Sequence, residues 1–127
     1  MSTYQLYFHL AWTTLDRRPM INAATKDFLN DFFRRMTIRA GAEVVQLAIL
    51  QTHVHIVVRT PPQFDLPKLV QGLKGGSSYA ASRQPGNVLG LRWAHQYSAT
   101  TVSPRQLAAV RDYLQRQNRH HPGEGVN

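Results

Sequence analysis

The spacing of apolar residues changes along the chain, and each spacing predicts one kind of element. Alternating or β-branched runs predict strands over residues 4–14, 43–50 and 52–60 and within 91–102. Helical spacing predicts helices over residues 22–41, from 65 to 74–78 or beyond, and from 103 to 118. The order strand, helix, strand, strand, helix, strand, helix predicts an α+β fold with a ferredoxin-like antiparallel sheet and helices packed on it.

Residues with capping chemistry stand where the three helices are expected to begin. Asn22 and Asp65 can each accept a hydrogen bond from a backbone N–H of the first helical turn. Ser103 followed by Pro104 is a strong helix start, because the N–H that proline lacks would have no partner in the first turn. Residues 82–90 are expected to form a loop.

Two histidines lie one valine apart in the third predicted strand. Residues i and i+2 of a strand project from the same face, so the imidazoles of His53 and His55 stand side by side. Val54, Ile56 and Val58 then point to the opposite face, where a core can bury them. Histidine is the commonest metal ligand, so a divalent metal ion is the first candidate. Two structural histidines with ordinary hydrogen-bond partners are the alternative, and the pair alone does not decide.

The composition indicates one domain with a core of its own. The chain has 127 residues, of which 43% are hydrophobic, and we expect a single domain over 1–127 with a flexible tail at 119–127. The absence of cysteine excludes a disulfide framework and a thiolate zinc site. The first residues do not resemble a signal peptide and no apolar stretch is long enough to span a membrane, so a cytoplasmic protein is expected.

The charge of the chain favours a polyanionic partner. Its formal net charge is +8 at pH 7, with twelve arginines and three lysines. The planar fork of donors on arginine suits phosphate groups, so nucleic acid is the expected partner. A basic surface that serves only solubility is the alternative.

The last predicted helix carries a tyrosine and a glutamine on one face. Leu107, Val110 and Leu114 repeat at helical spacing and form its buried side, and Tyr113 and Gln117 lie four residues apart beside them. A tyrosine hydroxyl can attack phosphorus as a nucleophile, and a glutamine carbonyl one turn away can ligate the metal ion that polarises the phosphate. Taken alone, such a tyrosine is more often an amphipathic packing residue.

Several short segments, each weak alone, occur in an order that is typical of one protein family. His53–Val58 and Gly72–Ser78 resemble segments of the single-tyrosine HUH transposases, the small enzymes of single-strand insertion sequences and the related REP-associated transposases. Leu10–Pro19 is similar to the family's first strand and basic turn, Trp93–Ser103 to the segment before its catalytic helix, and Val110–His121 to that helix. Nearly the whole chain is covered.

This resemblance implies roles for four residues. His53 and His55 would bind a divalent metal ion, Mg²⁺ or Mn²⁺, and Gln117 matches the family's third protein ligand. Tyr113 matches the nucleophile that cleaves single-stranded DNA, leaving a 5′-phosphotyrosine and a free 3′-hydroxyl. Two imidazoles and one amide suit Mn²⁺ better than Mg²⁺ in ligand preference.

The resemblance also implies the partners. Family members are typically homodimers that recognise hairpins in single-stranded DNA, and in some of them the tyrosine helix acts on the metal site of the other subunit. The residues expected at the DNA are basic, small hydroxyl or aromatic, and they are Arg17, Arg18, Lys74, Ser77, Ser78, Trp93 and Tyr97. Core packing of the two aromatic residues is the alternative.

Two expected groups of the site are not evident in the sequence: an acidic residue before the histidine pair and a general base for the tyrosine. Many relatives have an acidic residue before the first histidine of the pair, where this chain has Gln51 and Thr52. Metal binding would be weaker if that carboxylate orients an imidazole. A general base for the tyrosine is not evident; His9 and His95 are candidates, with structural or DNA-contacting roles as the alternative.

Three other functions compete with the transposase hypothesis. The first is a domesticated or inactive protein of the same fold that holds DNA hairpins without cutting them. The second is an HUH replication initiator or relaxase, which the small size and the position of the tyrosine after the histidines disfavour. The third is an RNA-binding ferredoxin-like domain in which the histidines have no metal-binding role.

Overall fold

The described part of the chain forms four strands and three helices. The computed structural model describes residues 5–85 and 90–120. The strands are β1 (Leu6–Thr13), β2 (Glu43–Ile49), β3 (His53–Thr60) and β4 (Ser98–Val102). The helices are α1 (Ala23–Arg39), α2 (Leu66–Ala81) and α3 (Pro104–His120), and a 3-10 turn, Leu15–Arg17, follows β1. The predicted order of elements is confirmed.

The four strands form one antiparallel sheet. Their spatial order is β2-β3-β1-β4, and every pair of neighbours is antiparallel. This arrangement with its intervening helices is the predicted α+β, ferredoxin-like fold. β1 and β3 are therefore the two inner strands, so the histidine pair lies at the centre of the sheet rather than at an edge.

The helices begin where the capping residues predict. The side chains of Asn22 and Asp65 each accept a hydrogen bond from the backbone N–H three residues further on, at 2.8 and 3.1 Å. Ser103 and Gln106 cap α3 reciprocally, because each side-chain oxygen accepts from the other residue's backbone N–H, at 3.3 and 3.2 Å. Caps of this kind contribute about 1 kcal/mol each.

One face of the sheet carries the main core. Even-numbered residues of β1 and β3 point to this face, where α1 and α2 pack on them. The largest side chains that are almost completely buried there are Leu10, Ile21, Leu29, Phe33, Ile56, Leu73 and Leu91. Each such side chain contributes about 1.5–3 kcal/mol of burial free energy, so this layer fixes the position of the inner strands.

The opposite face of the sheet is covered in part by α3. Leu114 of α3 packs there on Ala48 of β2 and Val57 of β3, and all three are buried. Val57 lies outside the core set expected from sequence, which contained only its even-numbered neighbours. It is fully buried because α3 supplies a second apolar layer. His53 and His55 share this face with Val57, so they lie beside α3.

The structure also defines the boundaries that the sequence left open. Of the two predicted extents of α2 the longer is found, because the helix runs past residues 74–78 to Ala81. Residues 91–102 contain the single strand β4, and Trp93 adds only an isolated bridge to Thr14. α3 extends to His120, so the first two residues of the expected tail are helical. The rest of that tail, 121–127, and residues 86–89 of the expected loop lie outside the described residues.

None of the helices in the described part of the chain has the length and apolar content needed to cross a membrane.

Candidate active site

The histidine pair lies on the α3 side of the sheet, in a position that the strand register defines. Thr13 of β1 stands opposite His53, and Ala11 stands opposite His55. Both neighbours have small side chains, which leaves space above the sheet for two imidazole rings. The ring centroids are 5.1 Å apart and the rings are nearly perpendicular. Both histidines are half-buried, so a ligand can reach them from solvent.

Each imidazole of the pair has a hydrogen-bond partner on its Nδ1 atom. The hydroxyl Oγ1 of Thr52 lies 3.0 Å from Nδ1 of His53. Nε2 of His9 lies 3.0 Å from Nδ1 of His55. Coordination of a metal ion through Nε2 is compatible with both contacts, and neighbours of this kind orient ligating histidines in metal sites.

Thr52 lies at the position where many relatives have an acidic residue, and it contacts His53. A carboxylate before the first histidine is absent, but the threonine hydroxyl at this position contacts the ring that a carboxylate would orient. The His53 ring thus has an orienting partner, and the effect of the missing carboxylate on metal binding stays a prediction. The sequence contained this signal, since serine and threonine hydroxyls commonly bond to adjacent groups.

Tyr113 and Gln117 reach the same region from α3. Leu114 anchors the helix on the sheet, and the four-residue spacing places Tyr113 and Gln117 on the side that faces the histidines. The two side chains differ in environment: Tyr113 is 50% exposed, whereas Gln117 is 4% exposed. An accessible hydroxyl and a buried amide thus lie one helical turn apart.

These four residues line one cleft of about 780 Å³ between the sheet, α3 and the segment 94–98. Its other lining residues are Ala11, Trp12, Thr13, Arg17, Ala94, His95, Gln96, Tyr97 and Ser98. This lining contains one arginine and no carboxylate side chain among the described residues. Such a cleft suits an anionic ligand that presents phosphate oxygens.

The donor set of the cleft fits a divalent cation that retains open coordination positions. Within the described ranges, no three His, Cys, Asp or Glu side chains form a group that could hold a metal ion. The amide oxygen of Gln117 lines the same cleft as the two imidazoles and offers a donor of another type. Two neutral nitrogens and one neutral oxygen leave the full charge of the cation available to a phosphate. Mn²⁺ and Mg²⁺ both accept such a mixture with additional oxygen ligands.

His9 belongs to this site, although sequence reasoning named it only as a candidate base. It lies on β1 on the same face as the pair, and its ring centroid is 5.2 Å from that of His55. Burial lowers the pKa of His9, which favours the neutral imidazole. His95 lines the cleft from the other side. The register that brings His9 to His55 depends on strand pairing 46 residues apart in sequence.

α2 holds one wall of the cleft through Lys74. Its ammonium group donates hydrogen bonds to the carbonyl oxygens of Ala94, His95 and Gln96, at 2.7, 3.0 and 3.4 Å. Partial burial lowers the pKa of Lys74. The ammonium lies 6.0 Å from the ring centroid of Tyr97, which is 40% exposed. Lys74 thus fixes the backbone that carries two side chains of the cleft.

Ser77 and Ser78 hold the same segment further along α2. Nε1 of Trp93 donates to Oγ of Ser77 at 2.9 Å, and the hydroxyl of Ser78 donates to the carbonyl of Leu91 at 2.6 Å. Trp93 also packs against the main core. Of the seven residues predicted to contact DNA, these three and Lys74 make intramolecular contacts that build the wall.

Arg17 and Arg18 lie in the turn after β1. Arg17 lines the cleft, whereas Arg18 is exposed beside it. Asp16 and Arg17 both have positive φ angles, 55° and 52°. Such a backbone costs non-glycine residues about 1–2 kcal/mol each. The buried hydroxyl of Thr14 donates to the carbonyl of Arg18 at 2.6 Å and helps to hold this turn, which directs Arg17 toward the cleft.

Comparison with known proteins places this architecture in a family. The sequence model of the family described as "Transposase IS200 like" matches residues 2–117. The chain is 31% identical over 120 residues to the ISDra2 transposase TnpA of Deinococcus radiodurans, with 91% of this chain and 86% of the relative covered.

Two solved structures have a similar fold. A candidate transposase from Deinococcus radiodurans R1 superposes with a TM-score of 0.70 at 29% identity, covering 91% of this chain and 93% of that one. A REP-associated tyrosine transposase bound to a REP hairpin also gives a TM-score of 0.70, at 14% identity and with 95% and 74% of the chains covered. At this low identity the second match speaks for the fold alone.

Proposed function

The chain belongs to the IS200-like transposase family, and from this premise we propose that it cleaves and rejoins single-stranded DNA by transesterification. Tyr113 is the proposed nucleophile, and His53, His55 and Gln117 are the proposed ligands of a divalent cation, Mg²⁺ or Mn²⁺. The observation that carries the proposal is the shared cleft. The exposed hydroxyl of the tyrosine and all three neutral donors line the same cavity.

The reaction requires little from the protein beyond positioning and charge. When bound, a divalent cation acts as a Lewis acid for the negative charge that grows on the non-bridging phosphate oxygens during attack. Oη of Tyr113 forms a bond to phosphorus, and the bond from phosphorus to the 3′ oxygen breaks. The tyrosine loses its proton and the 3′ oxygen gains one, which leaves a 5′-phosphotyrosine and a 3′-hydroxyl. The reverse attack rejoins the strand without ATP, because the tyrosine ester conserves the bond energy.

Single-stranded DNA with hairpins is the proposed substrate. The net charge of +8 supports a nucleic-acid partner, and Arg17 offers a guanidinium inside the cleft. Tyr97 presents a 40% exposed ring at the cleft wall, on which an unpaired base can stack. The REP-associated transposase of similar fold is bound to a REP hairpin, so this fold is compatible with a hairpin ligand. We propose a homodimer as the acting unit, as in the family that the sequence resembles.

End-labelled hairpin DNA from the flanks of the gene tests the reaction. With Mn²⁺, a label at the 3′ end should travel with the protein on a denaturing gel, because the protein keeps the 5′ phosphate. A label at the 5′ end should instead be released on a shorter strand with an extendable 3′-hydroxyl. EDTA should abolish both products. Tight hairpin binding with no product in Mn²⁺ or in Mg²⁺ would contradict the proposal and indicate an inactive hairpin-binding protein.

A further inference from the structure

His9 has no part in the proposed bond making, yet its Nε2 atom is hydrogen-bonded to Nδ1 of His55. We propose that His9 is a positioning residue, which accepts the Nδ1 proton of His55 and so leaves Nε2 of His55 as the metal-binding atom. This inference rests on the proposed function, because it assumes that His55 ligates a cation. It assigns to His9 a role in cation affinity rather than in proton transfer from Tyr113.

The strand geometry explains how His9 reaches His55. In β1, Ala11 stands directly opposite His55, and His9 stands opposite Val57, so His9 is the diagonal neighbour of His55. The methyl group of Ala11 leaves room for the His55 ring to lean along the sheet. Long side chains can bridge this diagonal, and Nε2 of His9 and Nδ1 of His55 are 3.0 Å apart.

A hydrogen bond between two neutral imidazoles needs one proton between the facing nitrogens, so only two arrangements exist. If Nε2 of His9 carries the proton, Nδ1 of His55 accepts it, and the proton of His55 sits on Nε2, where it blocks coordination. If Nδ1 of His55 carries the proton, Nε2 of His9 accepts it. Nε2 of His55 is then unprotonated, and its lone pair can bind a cation. Only the second arrangement serves a metal ligand that coordinates through Nε2.

The surroundings of His9 hold its ring beside His55. Thr100 of β4 lies opposite it, and His9 shares a groove with Tyr113 and Val110 of α3. It is thus held between two strands and a helix. His9 does not join the pair as a third ligand, since no such three-residue group exists in the described part of the chain. Its nitrogen instead faces the ring nitrogen of His55.

Two variants separate hydrogen-bond acceptance from simple packing. His9→Leu fills the same space without an acceptor, whereas His9→Gln places an amide oxygen near the former Nε2. Outer partners of metal-bound histidines typically change metal affinity by about 10–100-fold. We expect Mn²⁺ affinity of the DNA-free chain to fall by about that factor in His9→Leu and to stay within about threefold of wild type in His9→Gln. Tyr7→Leu, on the same strand and face but away from the pair, is the matched control and should not change it.

The experiment is a calorimetric titration of Mn²⁺ into the full chain, with thermal unfolding of each variant as a check on folding. Long-range ¹H–¹⁵N NMR of the imidazoles in the metal-free protein gives a second readout. It should show the proton of His55 on Nδ1 in wild type and a mixture of tautomers in His9→Leu.

The outcomes separate this inference from the proposed function. Unchanged Mn²⁺ affinity in His9→Leu, with binding lost in His55→Ala, would overturn the role of His9 and leave the metal site intact. Equal losses in folded His9→Leu and His9→Gln would also overturn it, because an amide acceptor would then not replace the imidazole. Wild-type protein that binds no Mn²⁺ at all would overturn both the metal site and the role of His9.

Discussion

Tyr113 and Gln117 lie one helical turn apart on α3 and line the same cleft, but they differ more than tenfold in exposure, 50% against 4%. A DNA strand in the cleft can therefore reach the tyrosine directly, whereas the amide is enclosed by the protein. This difference suits the proposed roles of Tyr113 as the nucleophile and of Gln117 as a cation ligand. It also separates the expected effects of changing each residue.

Replacing Gln117 by alanine should weaken cation binding without loss of the fold. Loss of a residue that only contacts a metal ligand typically lowers metal affinity by about 10–100-fold. Removal of one of the three proposed ligands themselves is therefore expected to lower Mn²⁺ affinity by about tenfold or more. Gln117→Glu should retain or increase affinity, because a carboxylate is a preferred oxygen ligand of Mn²⁺. Titration calorimetry measures both. Gln115→Ala, at an exposed position of α3, is the control, and wild-type affinity in Gln117→Ala would exclude it as a ligand.

Leu114→Ala should detach α3 from the sheet. The side chain is 1% exposed and packs on Ala48 and Val57, so its truncation should lower the free energy of unfolding by about 2–5 kcal/mol. Urea denaturation gives this value. Ile38→Ala removes a similar group that is 65% exposed and should change stability by no more than about 0.5 kcal/mol. Equal, small effects in both variants would show that α3 does not depend on this contact.

Lys74→Met should destabilise the cleft wall. It removes the donor of three hydrogen bonds to the carbonyls of residues 94–96, and a hydrogen bond to a charged group contributes about 1.5–3 kcal/mol. Because the lysine is partly exposed, we expect a total loss of about 1–3 kcal/mol in the free energy of unfolding. Lys68→Met, exposed on the same helix, should cost little.

The Lys74→Met variant also distinguishes two roles of this lysine: a structural role in the cleft wall and the phosphate contact that the sequence predicts. A lysine that neutralises a phosphate reduces the slope of log affinity against log salt by about one when removed. An unchanged slope together with lower stability supports the wall role. A reduced slope at wild-type stability would support direct contact with DNA.

Arg17→Ala should weaken binding of single-stranded DNA in a salt-dependent way. Its guanidinium lines the cleft, and removal of one phosphate contact should reduce the salt slope by about one. Fluorescence anisotropy of a labelled hairpin at several salt concentrations measures this slope. Arg34→Ala, on the exposed side of α1, gives the comparison. A slope that does not differ between the two variants would place the strand away from Arg17.

The elements of the fold follow from local signals in the sequence. Asn22 and Asp65 cap helices at the predicted positions because capping involves only residues three apart. The end of α2 does not follow from a local signal, since the sequence allows a stop at residues 74–78 or a longer helix. The structure shows a reason for Gly76: a Cβ atom there would lie 2.9 Å from Cζ of Phe32. This glycine permits close packing of α1 and α2 and does not end the helix.

The geometry of the site depends on contacts that no local pattern contains. The same-face position of His53 and His55 follows from strand periodicity, but the contact of His9 with His55 requires the register of β1 on β3. Lys74 illustrates a second limit. A lysine in a basic chain suggests a phosphate contact, whereas its hydrogen bonds to the carbonyls of residues 94–96 follow from no local pattern.

Peptide mapping of a covalent protein–DNA adduct directly tests whether Tyr113 is the nucleophile. The full chain is incubated with hairpin DNA and Mn²⁺, the DNA is digested to a short remnant, and tandem mass spectrometry locates that remnant. We expect a nucleotide linked through a 5′ phosphate to Oη of Tyr113, with no adduct in Tyr113→Phe and a normal yield of adduct in Tyr79→Phe. A remnant on another residue, or an undiminished adduct in Tyr113→Phe, would contradict the assignment of Tyr113 as the nucleophile.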